Sequence, residues 1–238
     1  MSYGAQADGI LTTARRSADG APSDQVLVAF LRDDYKLERI VDWDVLGMRA
    51  TCSTGFTLRG EGNAEQILPE AYEKIHTQSV VPVAHLTWSG VWTGIAAGAV
   101  DRARRFVRGA ARHGSGQLPP GAAHLTRAVM SLRALRGSVS AALQRYEIAT
   151  LTVDGLEALE FQTAMNLLKV NSSESAIETV MSAMQACGLS GYRNTGEFSI
   201  CRSLRDVLSS SIMINNDRIL ANAASALLLV EIPTLLRD

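Results

Sequence analysis

From Phe161 to Gly188 apolar residues recur every three or four positions: Ala164, Leu167, Leu168, Ile177, Val180, Met181 and Met184. Only a helix gathers residues of that spacing on one side, so the stretch must be a long amphipathic helix that buries this face against others. Lys169, Glu174 and Glu178 fall toward the other side, which the pattern predicts to be solvated. Gly188 is placed to end the helix in the left-handed conformation that glycine adopts without strain. Gly188 to Tyr192 then reads as a glycine-bracketed turn, followed by Glu197, Phe198 and Ser199, and the Arg205-Asp206 pair opens a last long helix.

The other segments supply the partners that such a helix needs. From residue 71 the chain reads as helical, over Val83–Gly109, 121–149, 154–187 and 206–231. The break from His113 to Gly121 holds Gly114, Gly116, Pro119 and Pro120, which cannot continue a helix. Asp154 followed by Glu157 predicts the start of the third helix through a side-chain cap. Four antiparallel helices of this length make an up-and-down bundle. The first 70 residues differ. Ile10–Ala14, Val26–Leu31, Leu37–Trp43 and Gly55–Leu58 are short apolar or β-branched runs, the first two divided by Asp19, Gly20 and Pro22, and they predict antiparallel strands. The expected fold is therefore α+β and mostly α: a partial β domain over 1–70, then a four-helix bundle over 71–238.

Composition excludes several classes. With 47% apolar residues in 238, the chain can bury a core, and no charge-free run of membrane-spanning length occurs. A net charge of −1 gives no reason to expect nucleic acid or a membrane surface as partner. Cys52, Cys187 and Cys201 form no paired spacing, and His76, His85, His113 and His124 have no metal-ligand spacing, so neither a disulfide framework nor a metal site is expected. Met1 to Gln6 has no basic or apolar leader character, and the expected location is the cytoplasm. Walker, zinc-protease, dinucleotide-fingerprint and nucleophile-elbow motifs are missing. The Trp88/Trp92 pair, four residues apart, reads as a core stripe.

Two segments carry a resemblance to a known family. Gln185, Gly188, Gly191, Tyr192, Arg205 and Asp206 resemble the Gln-x-x-Gly-Gly-x-Gly-Tyr and Arg-Asp segment near the end of acyl-CoA dehydrogenases, with Leu189 in place of the second glycine. Trp43, Gly47, Met48, Arg49, Thr51 and Ser53 resemble the signature of that family's middle β domain. The resemblance covers nearly all of this chain but only the later part of a typical member. It implies an FAD flavoprotein of fatty acid metabolism that removes two hydrogens from an acyl thioester, carried by CoA or by a carrier protein. The small-residue faces and apolar helices of the bundle exceed what a lone four-helix layer needs, so a homo- or hetero-oligomer, dimer or tetramer, is expected through residues 80–110 and 206–235.

The resemblance assigns cofactor contacts to Arg112 (with Arg108 as rival), Gln185, Gly188, Gly191, Asn216 and Arg218, with Thr51 and Ser53 near the flavin face. An arginine fork suits a pyrophosphate, and glycines let a backbone approach a ligand. The catalytic base is missing. The family's usual glutamate position falls on Ile214, and the alternative position, on the first bundle helix, falls on Ala84 or His85; of these only the imidazole of His85 can take a proton near neutral pH. Four readings follow: a dehydrogenase incomplete by itself, a half-site or non-catalytic subunit complementing a partner, a flavin-dependent monooxygenase of the same fold, which needs no such base, and a truncated product with no independent activity.

Overall fold

The computed structural model describes residues 1–231, and the chain divides into two compact units, residues 1–80 and 81–238. The first unit thus reaches ten residues beyond the boundary at 70 that composition gives, because a one-turn helix α1 (Tyr72–Ile75) and a π-helical turn at His76–Val80 group with the strands.

In the first unit β1 (Gly9–Arg15) pairs antiparallel with β2 (Gln25–Leu31), in register from Gly9 opposite Leu31 to Arg15 opposite Gln25. β3 (Tyr35–Val41) pairs with β4 (Gly55–Gly60), and the register shifts between Arg39 and Val41. Ile10, Val26, Leu27, Val28 and Tyr35 are buried, and the Tyr35 hydroxyl donates to the Ala7 carbonyl at 2.9 Å. The Gly47–Ser53 segment is not strand. Met48 and Cys52 have left-handed backbones on either side of a 3-10 turn at Arg49–Thr51, and Trp43 Nε1 donates to the Met48 carbonyl to close the loop.

The second unit is built on three long helices: α2 (Val81–His113), α3 (Ala122–Leu151) and α4 (Leu159–Cys187). α2 buries Trp92, Ala96, Ala99, Val100, Ala103 and Val107, a single stripe at three- and four-residue spacing. α3 buries Ala128, Leu135, Ala142 and Ala149, one residue every seven, which is the narrow seam of a helix that touches its neighbours along one line. α4 is different. It is buried on most sides, by Phe161, Met165, Leu168, Ala176, Val180 and Ala183 among others, because α2, α3 and the C-terminal helices all pack on it, while a stripe through Asn171, Glu174, Glu178 and Gln185 stays exposed.

Three expectations are corrected here. Lys169 is not solvated: it is fully buried, because it lies away from the stripe of Asn171, Glu174, Glu178 and Gln185 that α4 leaves exposed. The helix expected over 154–187 starts at Leu159, because Asp154 takes a left-handed backbone in a turn and serves as no cap. The single helix expected over 206–231 is broken. α5 (Leu189–Tyr192) is a short turn after Gly188, and α6 (Cys201–Val207), α7 (Ser209–Ile212) and α8 (Asn216–Ala226) share the fourth position of the bundle. The break lies at Met213–Asn215, where Met213 is extended and Ile214 and Asn215 have φ of +55° and +39°.

Candidate functional site

The glycine-bracketed end of α4 forms one wall of a recess of about 390 Å³ lined by Phe106, Pro119, Pro120, Gly121, His124 and the run from Gln185 to Gly188. Sequence dictates each wall. Pro119 and Pro120 end the connection from α2, and Gly121 is pressed against α4 so closely that a Cβ there would lie 2.5 Å from the Ala186 carbonyl oxygen. Gly188 has φ +54° and ψ −136°, a backbone that suits only glycine, and nothing lies within 4 Å of where its Cβ would be. Phe106 packs edge-on against Phe198, ring centres 5.4 Å apart.

The polar groups of the recess are few. Gln185 is exposed at its mouth. His124 Nδ1 is buried without a hydrogen-bond partner, an expensive state that a ligand would relieve. The neighbouring Cys187 thiol is buried, and that desolvation pushes its pKa up to about 11, so it stays a neutral packing group.

Of the residues expected to contact a cofactor, the structure brings Gln185 and Gly188 together in this recess. Gly191 lies beneath it in tight packing, where a Cβ would meet Cys187 Cβ at 2.7 Å. Arg108 and Arg112 are exposed on the last turns of α2 and do not line the recess. Thr51 Oγ1 donates to the Met48 carbonyl and Ser53 Oγ to Thr51 Oγ1, so both hydroxyls are engaged within their own loop. Arg218 is exposed on α8, whereas Asn216 is buried, its amide oxygen accepting from Lys169 and its amide nitrogen donating to Ser173 Oγ. Sequence reasoning missed His124, Gly121 and Lys169. The double proline before Gly121 was the available signal for the first two.

Neither base position offers a proton acceptor to a substrate. Ile214 stands about half exposed on its strained turn. His85 is 2% exposed, with Nδ1 3.0 Å from the Met165 carbonyl oxygen. Among the described residues no His, Cys, Asp or Glu group is arranged to hold a metal ion, and no helix is long and apolar enough to cross a membrane.

Residues 78–226, more than half of the chain, match the family model described as acyl-CoA dehydrogenase, C-terminal domain. This chain belongs to the acyl-CoA dehydrogenase family. Among curated proteins no relative matches it. Solved structures of the same fold include TdsC from Paenibacillus sp. A11-2 with FMN and indole, at 19% identity and a TM-score of 0.77 over 98% of this chain and 64% of that one. Nitrososynthase from Micromonospora carbonacea var. africana is 24% identical, with a TM-score of 0.72 over 96% of this chain and 59% of its own. Nitroalkane oxidase is 18% identical, with a TM-score of 0.73 over 94% of this chain and 56% of its own. The chain spans about six-tenths of the length of these family-fold structures.

Proposed function

We propose that this chain holds a flavin and serves an oxygen-dependent oxidation, as a flavin monooxygenase of the acyl-CoA dehydrogenase fold, in place of a carboxylate-driven dehydrogenation. One observation carries the reading: the resemblance puts the family's two base positions on Ile214 and on Ala84 or His85, and the only titratable group among them, His85, is buried against the Met165 carbonyl. Proton abstraction from a substrate needs a base within hydrogen-bond reach of it. Support also comes from relatives: TdsC is named a dibenzothiophene monooxygenase and was solved with FMN and indole.

The residues present fit a flavin dinucleotide. The recess would take its adenosine half, with the Gln185 amide at the mouth, the unpartnered His124 Nδ1 at depth and the open backbone of Gly188 allowing close approach. Arg108 and Arg112, on the end of α2, are the guanidinium groups proposed for the pyrophosphate. When bound, a flavin supplies two-electron transfer and the reaction with oxygen. The chain's own residues bind and orient it and supply no base. An acyl thioester, on CoA or a carrier protein, stays the proposed substrate class of the second reading, α,β-dehydrogenation, which the family match favours.

Visible spectra decide between them. The chain titrated with FAD is expected to develop a bound-flavin spectrum, and anaerobic addition of acyl thioesters is expected to leave that flavin oxidised. Bleaching by an acyl thioester would overturn the oxygenase reading and install the dehydrogenase. No FAD or FMN binding at all would sink both. We also propose a dimer or tetramer formed through residues 80–110 and 206–235, of which 232–235 lie outside the described residues. Val83, Val91, Gly94 and Gly98 form an exposed weakly polar face on α2, and light scattering reporting a monomer would count against assembly there.

A further inference from the structure

We propose that Lys169 is the positioning residue of the Ser209–Asn216 segment, its buried ammonium setting the path of the strained Ile214–Asn215 turn. Lys169 is completely buried in α4, and its Nζ donates to the Ser210 carbonyl at 2.9 Å and to Asn216 Oδ1 at 2.7 Å. The two acceptors bracket the turn, one on α7 and one on α8. The network closes behind them: Asn216 Nδ2 donates to Ser173 Oγ, Ser210 Oγ donates to the Ser173 carbonyl, and Ser173 Oγ donates to the Val170 carbonyl. Trp92 of α2 lies with its ring centre 5.7 Å from Nζ.

What holds the turn is a pair of hydrogen bonds from a buried ammonium whose charge is uncompensated. Lys169 forms no ion pair among the described residues. Of titratable or charged groups on the elements around it, α2 carries His85, Asp101, Arg102, Arg104, Arg105, Arg108, Arg112 and His113, α3 His124, Arg127, Arg133, Arg136, Arg145, Tyr146 and Glu147, α4 itself Glu160, Glu174, Glu178 and Cys187, α5 Tyr192, α6 Cys201, Arg202, Arg205 and Asp206, and α8 Asp217 and Arg218; α7 has no such group. A buried ammonium satisfied only by a carbonyl, an amide oxygen and a ring face gives up much of its hydration. Burial accordingly lowers its pKa to about 8. The tether is therefore directional but loaded. Opening the segment to water would restore the ammonium's hydration, so opening costs less while Lys169 is charged and more once it is neutral. The turn bears Ile214, and its bearing on reaction rests on the reading above of that position as the family's base position; the tether does not depend on that reading.

Hydrogen exchange of the whole chain, resolved to segments and corrected for intrinsic pH dependence, tests the tether without a flavin. The wild type is expected to show protection of amides 210–217 that rises several-fold between pH 7 and pH 9. Lys169→Met is expected to lower protection there about tenfold at pH 7, the loss of bonds to a charged donor, and to flatten the pH profile. Asn216→Asp supplies a counter-charge and is expected to keep the segment protected with no rise over the same range. A flat wild-type profile, or a loss in Lys169→Met spread evenly over α2 and α3, would overturn the proposal. Should Lys169→Met fail to fold, the wild-type profile and Asn216→Asp decide the matter. Failure of flavin binding would leave these outcomes unaffected.

Discussion

His85 Nδ1 lies 3.0 Å from the carbonyl oxygen of Met165, a buried bond that joins the start of α2 to the second turn of α4. The resemblance alone puts His85 at a position for a base, whereas in the structure the ring is buried and ties two helices together. His85→Ala removes the ring and leaves a hole between the helices, which is expected to destabilise the chain by about 2–3 kcal/mol. Chemical denaturation measures this. Any turnover found in the wild type is expected to keep its pH profile in the variant at temperatures where it stays folded.

Lys169 makes stability depend on pH in a defined direction. Its charged form is penalised by burial, and its pKa falls from 10.5 to about 8. Below pH 8 the lysine is protonated whether the chain is folded or unfolded. Between pH 8 and 10.5 the unfolded chain retains the proton that the folded chain has lost, so stability due to this group rises with pH over that interval. The full gain is on the order of 3 kcal/mol. The difference between wild type and Lys169→Met in urea denaturation at pH 7 and pH 10 isolates it from other titrating groups. A difference that shrinks as pH rises would contradict the assignment.

Much of this was legible in sequence. The four short apolar runs fall within two residues of β1 to β4, since such runs bounded by turn formers leave little choice. The three long helices were also readable from their period. What sequence concealed has one physical cause, the central place of α4. A one-sided helical pattern assigns a lysine to solvent, yet Ser172, Ser173 and Ala176 beside Lys169 permit close approach from a second side, and only the packed bundle shows that approach. The broken fourth helix was hidden likewise, because Ile214 at positive φ contradicts its own preference, and the bonds on either side of the turn, to Ser210 and Asn216, come from Lys169, distant in sequence.

The recess at the end of α4 separates structural from ligand roles by paired variants. Gly121→Ala places a methyl 2.5 Å from the Ala186 carbonyl oxygen, and the resulting displacement of α3 from α4 is expected to cost about 1–3 kcal/mol. His124→Leu removes a buried nitrogen that has no partner, so it is expected to leave stability unchanged or slightly raised. Its effect appears with the ligand: FAD affinity is expected to fall about tenfold, the value of one hydrogen bond formed in a partly buried site. Unchanged FAD affinity in His124→Leu, measured by fluorescence titration, would remove His124 from the proposed contacts.

Ile214 offers the converse test, a residue whose replacement is expected to help. A β-branched side chain at φ +55° clashes with its own backbone, and the left-handed region costs an ordinary residue roughly 1–2 kcal/mol. The side chain is about half exposed, so little buried area is lost on changing it. Asparagine tolerates that backbone through its short polar side chain. Ile214→Asn is therefore expected to raise stability by about 0.5–1 kcal/mol, read as a higher midpoint in thermal or urea unfolding. The gain is also expected to be additive with the loss in His85→Ala, which lies on α2 and bonds to Met165 of α4. A variant less stable than the wild type would show that Ile214 contributes packing worth more than the strain it carries.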